Sequence, residues 1–115
     1  MTFALAFKTF NDVRQALLAG QEIALIDVRE EDPFAQAHPL FAANFPAGRL
    51  ELDAWSRIPR RTTAIVVYDN GEGLAEPAAH LLRQLGYTDV ALLEGGLQGW
   101  REAGGELFKD VNVPS

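Results

Sequence analysis

Two stretches of this chain, Glu22-Ile23-Ala24-Leu25-Ile26-Asp27-Val28 and Ala64-Ile65-Val66-Val67-Tyr68, run apolar and β-branched without alternation. A strand wetted on one side alternates apolar and polar residues, whereas an unbroken apolar run is covered on both faces. The second run leads through Asp69-Asn70-Gly71-Glu72-Gly73 into a helical pattern with Leu74, Ala78, Leu81, Leu82 and Leu85 on one face. Pro77 falls in the first turn of that helix, where it is tolerated, and Gly86 follows as the residue that ends it. Asp89 to Leu93 reads as a further strand, followed by Gly95-Gly96 and a last helix carrying Leu97, Trp100 and Ala103, closed by Gly104-Gly105. Strands alternating with helices at this spacing predict an α/β domain of three layers: a central, mainly parallel sheet with helices on both faces.

Upstream, the spacing predicts a helix over Asn11 to Ala19 with Val13, Ala16 and Leu17 on one face, Asn11 as N-cap and Gly20 as its stop. A short helix is expected over Pro33 to Ala37. His38 to Gly48 is read as irregular because Pro39 and Pro46 interrupt pairing, and Leu50 to Trp55 as a short helix before Pro59.

The length of 115 residues allows one core and one domain. A formal charge of −6, with two lysines and eight scattered arginines, argues against nucleic acid or an anionic membrane surface as partner. No apolar run approaches the roughly 20 residues that span a bilayer. Met1 to Lys8 lacks the basic region and length of a secretory signal, so the chain is expected in the cytoplasm. Phe108 to Ser115 shows no closing pattern, which leaves two readings open: a natural tail, or the N-terminal part of a longer protein with further domains of this kind. No cysteine is present, which excludes disulfides, thiolate metal sites and persulfides within the chain.

The loop Asp69, Asn70, Gly71, Glu72, Gly73, Leu74 stands at the carboxyl end of a strand, where open α/β sheets bind ligands, and is the candidate site. Four segments in order carry a resemblance. Leu25-Ile26-Asp27-Val28-Arg29 is an apolar strand closing on Asp-Val-Arg, and Ile65-Val66-Val67-Tyr68 is a strand that delivers a loop. Leu85-Gly86-Tyr87-Thr88-Asp89-Val90 follows, then Leu93-Glu94-Gly95-Gly96-Leu97-Gln98-Gly99-Trp100. Together they resemble a rhodanese-like domain, the module of thiosulfate and related sulfurtransferases. His38-Pro39-Leu40-Phe41-Ala42-Ala43-Asn44 is loosely similar to that family's His-Ile-x-Gly-Ala stretch.

The resemblance implies a loop whose first residue is a cysteine that takes sulfur from thiosulfate or a persulfide and passes it to a thiol or cyanide. It implies a glycine at the loop's fourth position and a basic residue at the sixth. Its backbone N–H groups and helix N-terminus would steady the anionic sulfur. Here Asp69 holds the first position, Glu72 the fourth and Leu74 the sixth. A carboxylate at Asp69 is expected to accept the N–H bonds the anionic sulfur would otherwise receive, as an internal anion and helix cap.

The expectation is therefore a catalytically inactive rhodanese-like domain, a structural, regulatory or docking module of a sulfurtransferase. It would need no cofactor or metal and would partner another rhodanese-like domain or protein. Two alternatives stay open. One is an enzyme using Asp69 itself. A haloacid-dehalogenase-type phosphatase wants a second acid where Gly71 stands, and a response-regulator receiver wants an acidic cluster and a late lysine. Asp69 with Glu72 could alternatively offer hard oxygens to Mg²⁺ or Ca²⁺, although the glycine spacing does not fit a Ca²⁺ loop. The other alternative is a stand-alone binding domain with Trp55, Phe41 and Phe45 as its partner patch. Among the remaining polar residues, Asp27 and Arg29 are expected to tie a strand end to its loop, and His38 to bond backbone. His80 is expected near solvent, Glu30, Glu31 and Asp32 in a solvated turn, and Trp100 in the core.

Overall fold

The structure, a computed structural model, describes residues 5–109. In chain order it contains β1 (Ala6–Lys8), α1 (Phe10–Leu18), β2 (Ile23–Asp27), α2 (Glu31–Gln36) and β3 (Ala42–Asn44). A 3₁₀ turn (Ala47–Arg49) then leads into α3 (Leu50–Arg57), β4 (Ala64–Tyr68), α4 (Ala75–Gln84), β5 (Val90–Leu93) and α5 (Gly96–Glu102). The five strands form one sheet in the order β1-β5-β4-β2-β3, every pair parallel.

The unalternating strands are covered on both faces, as expected. On one face Ile26, Val67 and Leu92 pack against Leu50 and Ala54 of α3 and Ala78, Ala79 and Leu82 of α4. On the other, Leu25, Val66, Tyr68 and Leu93 pack against Val13 of α1 and Leu97 and Trp100 of α5. Trp100 meets Phe10 edge-on at 4.6 Å between ring centroids and donates its indole N–H to the Glu106 carbonyl at 3.1 Å, so the expected core anchor is one. No described helix is long and apolar enough to cross a membrane.

Several local expectations need correction. Thr9, not Asn11, is the N-cap of α1: its side chain accepts the Asp12 N–H while the Asp12 carboxylate accepts the Thr9 N–H, a reciprocal capping box. The stretch His38 to Gly48 is not wholly irregular. Between its two prolines lies β3, which pairs Leu25 with Ala42 and Asp27 with Asn44 along the sheet edge. A one-sided edge strand requires only three residues free of proline, which this stretch supplies. At the opposite edge, β1 pairs with β5 from Ala6↔Ala91 to Lys8↔Leu93. Helix α2 begins at Glu31 with Pro33 inside its first turn. Phe45 is 2 % exposed and belongs to the core, its ring covered by the Arg57 guanidinium at 3.9 Å, so it is not part of a surface patch. His80 on α4 is partly exposed, in keeping with its expected place near solvent. The Asp110 to Ser115 end of the stretch expected to lack closure lies outside the described residues.

Candidate functional site

The chain leaves β2 toward β3 and leaves β4 toward β5, in opposite directions from the centre of the sheet. That divergence opens a crevice at the carboxyl ends of the two neighbouring strands. Register places Asp27 beside Tyr68 at this end, and Asp69 is the next residue out.

The Asp69 carboxylate turns back into its own loop. Its Oδ1 accepts the Gly71 N–H at 3.1 Å, and its Oδ2 accepts the N–H groups of Leu74 at 2.7 Å and Ala75 at 3.0 Å. Leu74 and Ala75 are the entry to α4, whose first-turn N–H groups have no partner within the helix. A negative group there satisfies those donors and meets the positive end of the helix dipole. The Glu72 carboxylate accepts the Asn70 N–H. Gly71 at φ +90° and Gly73 at φ +80° supply the left-handed turns that let the loop fold around the carboxylate.

The far side of the loop is braced by the start of α5. The Asp69 carbonyl accepts the Leu97 N–H at 2.9 Å, and a Cβ on Gly96 would stand 2.7 Å from the same oxygen. Gly96 was legible only as part of a Gly-Gly pair; its contact with the loop had no signal in the sequence. Beside the loop is a cleft of about 330 Å³ bounded by Phe7, Asp69, Gly71, Gly73, Glu76 and Leu92. Leu74, at the sixth loop position, packs partly buried against the core and brings no charge to the loop.

The cation closest in sequence to the strand ends is already committed. Arg29 is 4 % exposed and Asp27 fully buried; the Arg29 guanidinium donates through Nε to both Asp27 oxygens at 3.0 and 3.1 Å and through Nη2 to Oδ2 at 2.7 Å. Nη2 also donates to the Ala37 carbonyl at 2.7 Å, and the Arg29 N–H donates to Asp27 Oδ1 at 2.9 Å. Burial opposes the Arg29 charge, but the hydrogen bonds and charge of Asp27 outweigh it and hold its pKa above the ordinary value. The pair ties the end of β2 to the segment after α2, the structural role expected of it. Asn44 adds to this corner by donating to the Asp27 and Arg29 carbonyls at 3.2 and 2.8 Å.

Next to this pair lies a group that sequence reasoning missed. The Tyr68 hydroxyl is buried beside the Asp27–Arg29 pair and makes no well-aligned hydrogen bond among the described residues. Burial, and then the charge of Asp27, push its pKa far above the ordinary phenol value, so it stays protonated. His38 bonds backbone, as expected: Nδ1 is 2.8 Å from the Pro39 carbonyl, its ring stacks on Phe34 at 4.1 Å, and it exchanges backbone hydrogen bonds with Phe108. Trp55 is 48 % exposed, with the Arg61 guanidinium 3.2 Å from its ring centre.

The arrangement thus offers a short loop at a sheet's switch point, wrapped around a carboxylate where a nucleophile would stand. Comparison with known proteins bears on its origin. Residues 9–103 match the family described as rhodanese-like domain. The chain is 32% identical over 110 residues to the uncharacterized protein slr1261 of Synechocystis sp., covering 96% of this chain and 58% of that one. It is 29% identical over 86 residues to the thiosulfate sulfurtransferase GlpE of Tolumonas auensis, covering 75% of this chain and 79% of that one. A crystal structure of thiosulfate sulfurtransferase from Pseudomonas aeruginosa superposes with a TM-score of 0.91 at 70% identity. That match covers 96% of this chain but 21% of the Pseudomonas chain. The chain therefore spans about three-fifths of the Synechocystis protein and about a fifth of the Pseudomonas one. The parallel five-stranded sheet, the loop after β4 and the match over residues 9–103 agree: this chain belongs to the rhodanese-like domain family.

Proposed function

We propose that this chain is a rhodanese-like domain without sulfurtransferase activity of its own, working as a structural, regulatory or docking module of a longer sulfurtransferase. The observation that carries the reading is the Asp69 carboxylate, held by the N–H groups of Gly71, Leu74 and Ala75. Sulfur transfer by a persulfide needs a thiolate that attacks the donor's sulfane sulfur and expels sulfite or a thiolate. It then needs an acceptor to take that sulfur and regenerate the thiolate. No thiol exists anywhere in the sequence to do this. A carboxylate oxygen is a poor nucleophile toward sulfane sulfur, and here its lone pairs are turned toward the backbone.

A domain 70% identical makes up about a fifth of the Pseudomonas thiosulfate sulfurtransferase, which supports placing such a module within a sulfurtransferase. The partner this reading favours is another rhodanese-like domain, one that supplies the thiolate. The direct test is intact-protein mass spectrometry after incubation with thiosulfate. No addition of a sulfur atom is expected, and a stable sulfur adduct on this chain would refute the reading.

A further inference from the structure

Seven large apolar side chains are exposed on the described surface: Phe7, Leu18, Leu40, Phe41, Leu52, Trp55 and Phe108. Four of these, Leu18, Leu40, Phe41 and Phe108, line one groove of about 440 Å³. Its floor is Phe10 and Trp100; its walls are α1, residues 39–41 and residues 103–108. Concentration of exposed apolar side chains in one concavity marks an interaction surface, since scattered ones carry no such meaning. None of residues 69–74 lines it, so it is separate from the loop described above.

The charges on this groove indicate what fits it. Arg14 and Glu106 both line it and both are exposed, and neither side chain has a hydrogen bond or ion pair among the described residues. The molecule as a whole carries −6, so most of its surface repels a second copy. The groove, with one charge of each sign around an apolar floor, is locally neutral. In a two-fold contact the same patch faces itself, and residue i of one copy meets residue j of the other, twice over. Arg14 and Glu106 suit a pair of that kind: neither side chain has a partner among the described residues of its own chain, and a symmetry mate would offer each one of opposite sign. The protruding Leu40 and Phe41, 58 % and 60 % exposed, supply the apolar groups that enter the facing groove.

From this we infer that the groove between α1, residues 39–41 and residues 103–108 is an isologous dimer interface for a second copy of this chain. Arg14 pairs with Glu106 across it, and Phe41 is its apolar anchor. The inference is independent of whether the Asp69 loop is silent.

The test is sedimentation velocity of the purified chain from roughly 1 μM to about 1 mM, a span that reveals even weak dimers. A concentration-dependent dimer is expected. Phe41→Asp should raise its Kd by about tenfold or more, the scale of a lost aromatic anchor. Arg14→Glu and Glu106→Arg should each weaken it, and the double variant should restore it, because the exchanged charges again face opposite signs. Circular dichroism confirms that each variant is folded, which exposure of all three side chains makes the expected result. A chain monomeric at about 1 mM would overturn the inference, and so would a dimer indifferent to Phe41→Asp or a charge exchange that fails to restore pairing.

Discussion

Asp69 Oδ2 lies 2.7 Å from the amide nitrogen of Leu74, a short charge-assisted hydrogen bond joining the end of β4 to the entry of α4. With the Ala75 bond at 3.0 Å, it makes Asp69 the cap of a helix that begins six residues further along the chain. Helix caps of this kind are worth about 0.5–2 kcal/mol. Asp69→Ala should therefore lower the unfolding free energy by roughly 1 kcal/mol, measured by urea denaturation. An unchanged midpoint would show that the loop N–H groups do not depend on the carboxylate.

The Asp27–Arg29 pair sits where both charges are shielded from water, and the two halves are unequal to lose. Arg29→Ala would leave a carboxylate buried without its partner, a change expected to cost about 3–5 kcal/mol. The double replacement of both residues by apolar ones of similar size should recover much of that loss, because no lone charge remains. Denaturant unfolding of the single and double variants checks both halves. A small effect of Arg29→Ala would mean that water reaches Asp27.

Tyr68 supports a prediction of opposite sign. Its hydroxyl stands beside the Asp27 carboxylate without forming a well-aligned hydrogen bond, and a poorly satisfied buried hydroxyl is unfavourable by roughly 1–3 kcal/mol relative to an apolar atom in the same place. Tyr68→Phe should thus leave stability unchanged or raise it, by thermal unfolding. A fall of 1 kcal/mol or more would reveal a partner for the hydroxyl.

Gly96 stands at φ +59°, and a side chain there would meet the Asp69 carbonyl. Gly96→Ala combines backbone strain with a close contact to backbone that cannot swing aside, for a loss of about 1–3 kcal/mol. Hydrogen exchange should also rise at Leu97, whose N–H bonds to Asp69. Wild-type protection at that amide would contradict the brace.

The capping box of α1 predicts a dependence on pH. Hydrogen bonds from the Thr9 N–H, and next the Thr9 side chain, hold the Asp12 pKa below the ordinary carboxylate value. A depressed pKa stabilises the fold fully above the unfolded-state value of 3.8, and that stabilisation disappears as pH falls through the lower folded-state value. Asp12→Asn, which removes the titrating carboxylate, should flatten the acid side of the stability profile in that window, and a profile parallel to wild type would argue against the box.

Legibility in the sequence depended on pattern length. The β2, β4 and β5 strands were legible because each is a continuous apolar run, and α4 because its stripe repeats over three turns. By contrast, β1 and β3 are three-residue edge strands. Ala6-Phe7-Lys8 and Ala42-Ala43-Asn44 are too short for any period, and only pairing with β5 and β2 defines them. Phe45 stands between Asn44 and Pro46 and looks like loop; its N–H bond to the Asp27 carbonyl at 2.8 Å turns the ring into the core. In the candidate site, the replacement at Asp69 was visible from residue order, and its role as an internal acceptor followed from helix chemistry. The Gly96 brace and the burial of the Tyr68 hydroxyl beside Asp27 were not visible, because both arise from contacts between distant segments.

On the function proposed above, Asp69 leaves this loop a scaffold without its reacting atom. The most direct measurement is thiosulfate-to-cyanide sulfur transfer by the purified chain and by its Asp69→Cys variant. The predicted result is no thiocyanate above the uncatalysed blank from the wild type, and at least slow production once a thiolate stands at position 69. Sustained turnover by the wild type would contradict the claim outright.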